Sequence, residues 1–84
     1  MTQRITIDPD PPEQGKAAKV CYNFKGTGLS TVTLELTWDP DTLPGEDITL
    51  TPANNCKNVQ VPATAVGGFI TGPQTDDLGF VVDG

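Results

Sequence analysis

From Val32 to Trp38 the chain alternates without a break: Val32, Leu34, Leu36 and Trp38 share one parity, while Thr33, Glu35 and Thr37 share the other. Successive side chains of an extended backbone point to opposite faces. The pattern therefore specifies a half-buried antiparallel strand with one apolar and one wet side. Its end is equally explicit. Asp39-Pro40 and then Pro44-Gly45 place two turn signals inside DPDTLPGED, where restricted or unusually free backbone dihedrals interrupt pairing.

The same period of two recurs along the rest of the chain. Arg4 to Asp8 (RITID) reads as a first strand with Ile5 and Ile7 on one face, ended by the prolines of PDPPEQG, which cannot pair in a ladder. A second strand runs from about Ala17 to Phe24, and KGTGLS turns it into the strand ending at Trp38. Asp47 to Thr51 (DITLT) and Cys56 to Val61 (CKNVQV) follow, the latter stopped by Pro62. TAVGGFIT and LGFVVD, joined by GPQTDD, supply the last two strands, with a bulge or bend expected at Gly67-Gly68.

Nine glycines and eight prolines in 84 residues are more than helices of any length tolerate. No segment has helical period and no internal repeat is present. Seven short strands at this spacing predict one all-β domain over residues 1–84, an antiparallel β-sandwich, with a small partly open barrel as the alternative. A domain of 8.9 kDa buries only about 60–65% of its unfolded surface, so its margin of stability is small.

Eleven acidic against five basic residues give a formal charge of -6 and a pI near 4.1. Arg4, Lys16, Lys19, Lys25 and Lys57 cannot assemble a patch that tracks phosphates, so nucleic acid is not expected as a partner and anionic membrane surfaces are poor ones. No apolar run approaches the roughly 20 residues of a bilayer span, so membrane insertion is not expected. The amino end, MTQRITIDPDPP, lacks the apolar centre of a signal peptide. Either the protein is made without a cleaved signal, or a signal or neighbouring domain lies outside this chain.

Cys21 shares parity with Lys19 and Asn23, opposite the apolar Val20, Tyr22 and Phe24; Cys56 shares parity with Asn58 and Gln60, opposite Val59 and Val61. Both cysteines thus fall on polar faces. They are able to pair as a disulfide tying the second strand to the start of the fifth, which would place the protein in an exported or extracellular setting. Two reduced, unrelated thiols in a cytoplasmic protein are the alternative. Two cysteines and no histidine leave only carboxylates to complete a zinc site. A separation of 35 positions does not match the Cys-x-x-Cys of redox pairs.

The absence of histidine removes the usual general base and every triad built on it. The lone serine, Ser30, sits in a turn without an implied base. Carboxylates pair at Asp8 and Asp10, Asp39 and Asp41, Glu46 and Asp47, and Asp76 and Asp77, all in expected loops. A small hydrolase would need two of them facing one cleft. Calcium is the stronger use for such acids, because it takes six to eight oxygens, and Asp39, Asp41, Glu46 and Asp47 lie close together in sequence. Those four are the calcium candidates, set against the plainer reading of solvated turn acids.

Tyr22 and Trp38 take the apolar parity of their strands, which assigns them to the core with Val20, Phe24, Val32, Leu34 and Leu36 rather than to an exposed stacking platform. Thr31, Thr33 and Thr37 with Glu35 form the wet row opposite. Threonine suits an exposed strand face without any further role. Short edge strands leave weak self-association by strand pairing open.

At AKVCYNF, TLELTWDP and NVQVPATA the chain resembles immunoglobulin-like and fibronectin-type β-sandwich modules, through the tryptophan on the third strand and the VPA step after a late one. The resemblance spans most of the chain as a pattern and implies an immunoglobulin-like sandwich. It departs at the cysteines. Immunoglobulin domains bury theirs between the sheets, with a tyrosine two residues before the second; here Asn54 holds that position and both cysteines carry the polar parity. No antigen-type or adhesion role carries over.

The expected function is a noncatalytic structural or protein-interaction module of an exported or particle-associated protein, without a cofactor and with a protein partner of unknown identity. A calcium-dependent carbohydrate-binding domain is the alternative.

Overall fold

The computed structural model describes residues 3–84 and contains seven strands: β1 (Ile5–Asp8), β2 (Ala17–Tyr22), β3 (Val32–Asp39), β4 (Glu46–Leu50), β5 (Cys56–Gln60), β6 (Gly67–Thr71) and β7 (Asp77–Val81). One 3₁₀ turn, Pro73–Thr75, joins the last two. All ladders are antiparallel. They form a three-stranded sheet in the order β1-β2-β5 and a four-stranded sheet in the order β4-β3-β6-β7.

β3 buries Val32, Leu34, Leu36 and Trp38 and exposes the residues between them, as its alternation requires. The inward residues of both sheets meet in one cluster. Ile5, Ile7, Val20, Tyr22 and Val59 come from the first sheet, and Leu34, Leu36, Trp38, Ile48, Leu50 and Ile70 from the second. Phe24 is partly buried at its margin. Two separate sheets around a shared core make this a sandwich and not a barrel. β4 lies beside β3, whereas an immunoglobulin constant domain keeps its fourth strand in the sheet of the first, second and fifth.

Three local expectations need correction. β2 ends at Tyr22, two residues early, because Asn23 turns the chain: its Oδ1 accepts the Lys25 N–H at 2.9 Å, the short side-chain turn that asparagine favours. The Arg4 guanidinium fixes that turn by donating to the carbonyls of Asn23 (3.0 Å) and Lys25 (2.7 Å). The proline-rich connection also pairs after all. Prolines lack a donor but not an acceptor, and the Pro12 carbonyl accepts the Asp83 N–H at 2.8 Å while Gln14 N–H donates to the Asp83 carbonyl at 2.8 Å. The resulting parallel bridge between Glu13 and Asp83 closes one side of the sandwich.

Gly67-Gly68 makes no bulge. Register runs unbroken from Gly67 opposite Val81 to Thr71 opposite Asp77, and the two glycines provide room instead of a bend. A Cβ on Gly68 would collide with the Phe80 ring, which lies over the bare backbone and meets Trp38 edge-on at 5.8 Å and 85°. The next pair reverses the arrangement on the outer face, where the Phe69 ring covers Gly79. Aromatic rings laid over cross-strand glycines restore the packing that glycine gives up.

Candidate functional site

The outer face of the four-stranded sheet is set by register. One cross-strand row reads Asp47, Glu35, Thr71, Asp77; the next reads Thr37, Phe69, Gly79; the third reads Asp39, Gly67, Val81. The four strands contain no lysine or arginine. Every charge on this face is therefore acidic. Glu35 and Asp47 stand directly opposite one another, an arrangement of like charges that costs stability in a sheet. Neither belongs to either of the two ion pairs among the described residues, Lys16–Glu13 and Lys57–Glu46.

At the third row the face becomes apolar. Val66, Phe69 and Val81 are 56%, 42% and 67% exposed, and they surround an open cleft of about 630 Å³ whose wall continues through Asp39, Pro40 and Asp41. Gly67 has no side chain to fill it. The backbone fixes this corner: Val66 N–H donates to the Asp39 carbonyl at 2.8 Å, and Val82 N–H to the Val66 carbonyl at 3.1 Å. Val66 is thus held opposite Val82 before β6 formally begins.

The opposite outer face, on β1-β2-β5, carries the cysteines. Cys21 and Cys56 are register partners with Cα atoms 4.1 Å apart, and their sulfurs lie 2.05 Å from each other, at bonding distance. The link joins neighbouring strands of one sheet and leaves the core untouched. Asn55 extends the same ladder, its carbonyl accepting the Tyr22 N–H at 2.9 Å and its side-chain amide donating to the Tyr22 carbonyl at 3.3 Å.

Tyr22 is wholly buried, and its hydroxyl donates to Asp76 Oδ2 at 3.0 Å. The bond ties β2 to the connection between β6 and β7, and so one sheet to the other. Burial raises the Tyr22 pKa above its ordinary 10.0, the Asp76 bond and charge add to that, and Arg4 opposes it. Lys16, fully exposed, is also raised, by its 2.9 Å contact with Glu13.

The carboxylates do not gather. Glu46 and Asp47 open β4, Asp77 opens β7, Asp39 ends β3 and Asp8 ends β1, so each of these acids stands on a strand. Among the described residues no group of three or more acids, cysteines or histidines is placed to hold a metal ion, and Asp39, Asp41, Glu46 and Asp47 are not gathered into one. Asp39 and Asp41 do face one cleft together. Both are exposed.

Sequence reasoning missed Val66, Phe69 and Val81. A signal was available for two of them: Phe69-Ile70 and Val81-Val82 are apolar doublets inside the expected strands, and a doublet must turn one member outward. No helix among the described residues is long and apolar enough to cross a membrane. Comparison with known protein families, curated proteins and solved structures finds no match.

Proposed function

We propose that this chain is a noncatalytic, immunoglobulin-like sandwich module that works by binding another protein, and that the outer face at β3-β6-β7 is its binding surface. The carrying observation is the exposed trio Val66, Phe69 and Val81 around the cleft over Gly67. Scattered apolar residues on a surface need no explanation, but a contiguous group rimmed by polar residues is characteristic of interaction sites. The fibronectin-type side of the resemblance fits best, since β4 sits with β3 and the cysteines do not bridge the sheets. A disulfide at Cys21–Cys56 favours an oxidising, exported setting.

Affinity capture from the native source tests this reading. The wild-type domain and a Phe69→Ser/Val81→Ser variant of equal melting temperature are compared side by side. A partner retained by the wild type and lost by the variant is expected; equal retention by both removes the surface from the account.

A further inference from the structure

The charge around the cleft says what kind of segment it takes. Among the described residues its only charged walls are Asp39 and Asp41, and the nearest charged row beyond is Glu35, Asp47 and Asp77. All five cations of the chain, Arg4, Lys16, Lys19, Lys25 and Lys57, lie on the three-stranded sheet or its connections. A ligand on this face meets apolar surface at one end and uncompensated carboxylates at both. The face disfavours a second copy of itself, because a two-fold contact would bring like charges together. An enclosed small-molecule site is also a poor description, since the cleft is open along the sheet, whereas such sites bury most of their ligand.

Length narrows the choice further. The Gly67 row and the Glu35–Asp47 row are four residues apart along β3 and β6, which is about 13 Å at the rise of a strand. An extended polypeptide covers that span with about five residues and presents every second side chain to the same surface. An apolar side chain over Gly67 then leaves the position four residues away aimed at the Glu35–Asp47 row, with the position between them over Thr37 and Phe69. Resting on the interaction reading above, we propose that the cleft receives an extended basic–apolar segment of the partner protein. The segment seats an apolar side chain over Gly67 beside Phe69 and Val81, and sets lysine or arginine against Asp39 and Asp41 and along the Glu35–Asp47 row.

Selection from a phage-displayed random peptide library, followed by amide shift mapping of the winning peptides on the labelled domain, tests the chemistry. Enriched peptides are expected to combine Lys or Arg with an apolar residue two to four positions away and to shift the amides of Val66, Gly67, Phe69 and Val81. Their affinity should fall about tenfold in Val81→Ser, the loss of one buried aliphatic contact. Asp39→Asn/Asp41→Asn should weaken binding and flatten its dependence on salt. Enrichment of acidic, uncharged or purely polar peptides overturns the proposal. So do shifts confined to the cysteine-bearing face, self-association through the cleft, or no enrichment at all. If no basic peptide binds while capture of the native partner still depends on Phe69 and Val81, the interaction reading stands and the peptide chemistry alone falls. If capture is also indifferent to them, both fall.

Discussion

Gly68 and Gly79 face each other's neighbours across one ladder, yet they answer substitution differently. A Cβ at Gly68 meets the Phe80 ring and, at 3.1 Å, the Thr37 carbonyl, whereas one at Gly79 finds only the Phe69 ring edge at an ordinary 3.4 Å. Gly68→Ala should therefore cost about 1–3 kcal/mol, the usual penalty of overpacking, and should weaken the near-ultraviolet signal of Trp38 as Phe80 is displaced. Gly79→Ala should stay within about 0.5 kcal/mol; denaturant titration of both separates the two outcomes. Tyr22 makes a pH prediction. Its proton is held more tightly folded than unfolded, so above about pH 10 the unfolded chain releases it first and folding must take up the difference. The stabilisation is complete below that pH and is lost as pH rises through the folded value. Tyr22→Phe should lower stability at neutral pH by about 1 kcal/mol and make the alkaline decline shallower, measurable as denaturation midpoints against pH.

Among the elements, the β2–β5 pair carries the covalent link, and its position predicts how it acts. The bond closes a separation of 35 residues on an outer face, so removing it leaves every core contact in place. Cys21→Ser/Cys56→Ser should keep the strand content while losing about 3–4 kcal/mol, the unfolded-state entropy of a loop this long. Freshly isolated protein should show no alkylatable thiol by intact mass until reductant is added. The strands themselves were legible because period two is kept in β1, β2, β3 and β7, and β3 was read to within a residue or two. The outward placement of Cys21 followed from the same parity. What escaped were features that depend on a neighbour distant in sequence: the Asn23 turn is fixed by Arg4, the pairing of Pro12 by Asp83, and the room at Gly68 by Phe80. The candidate site escaped for the same reason. Phe69 and Val81 become one surface only when β6 and β7 pair and Gly67 leaves the space between them empty.

Across the whole molecule charge divides by sheet, with every cation on the β1-β2-β5 side and only acids on the four strands opposite. The division was present in the sequence, which has no base between Lys25 and Lys57 and none after it, but its meaning needed the topology that gathers those segments into one face. Because the acids are spread along strands and form no metal cluster among the described residues, adding EDTA or calcium should leave the melting midpoint unchanged; a calcium-dependent rise would restore the metal reading. The apolar end of the acidic face is the proposed meeting place of this domain and its partner. Amide shift mapping of the labelled domain with the captured native partner tests it most directly. Perturbations centred on Val66, Gly67, Phe69 and Val81 are the predicted result, and perturbations confined to Lys19, Cys21, Asn58 and their neighbours on the opposite sheet would contradict it.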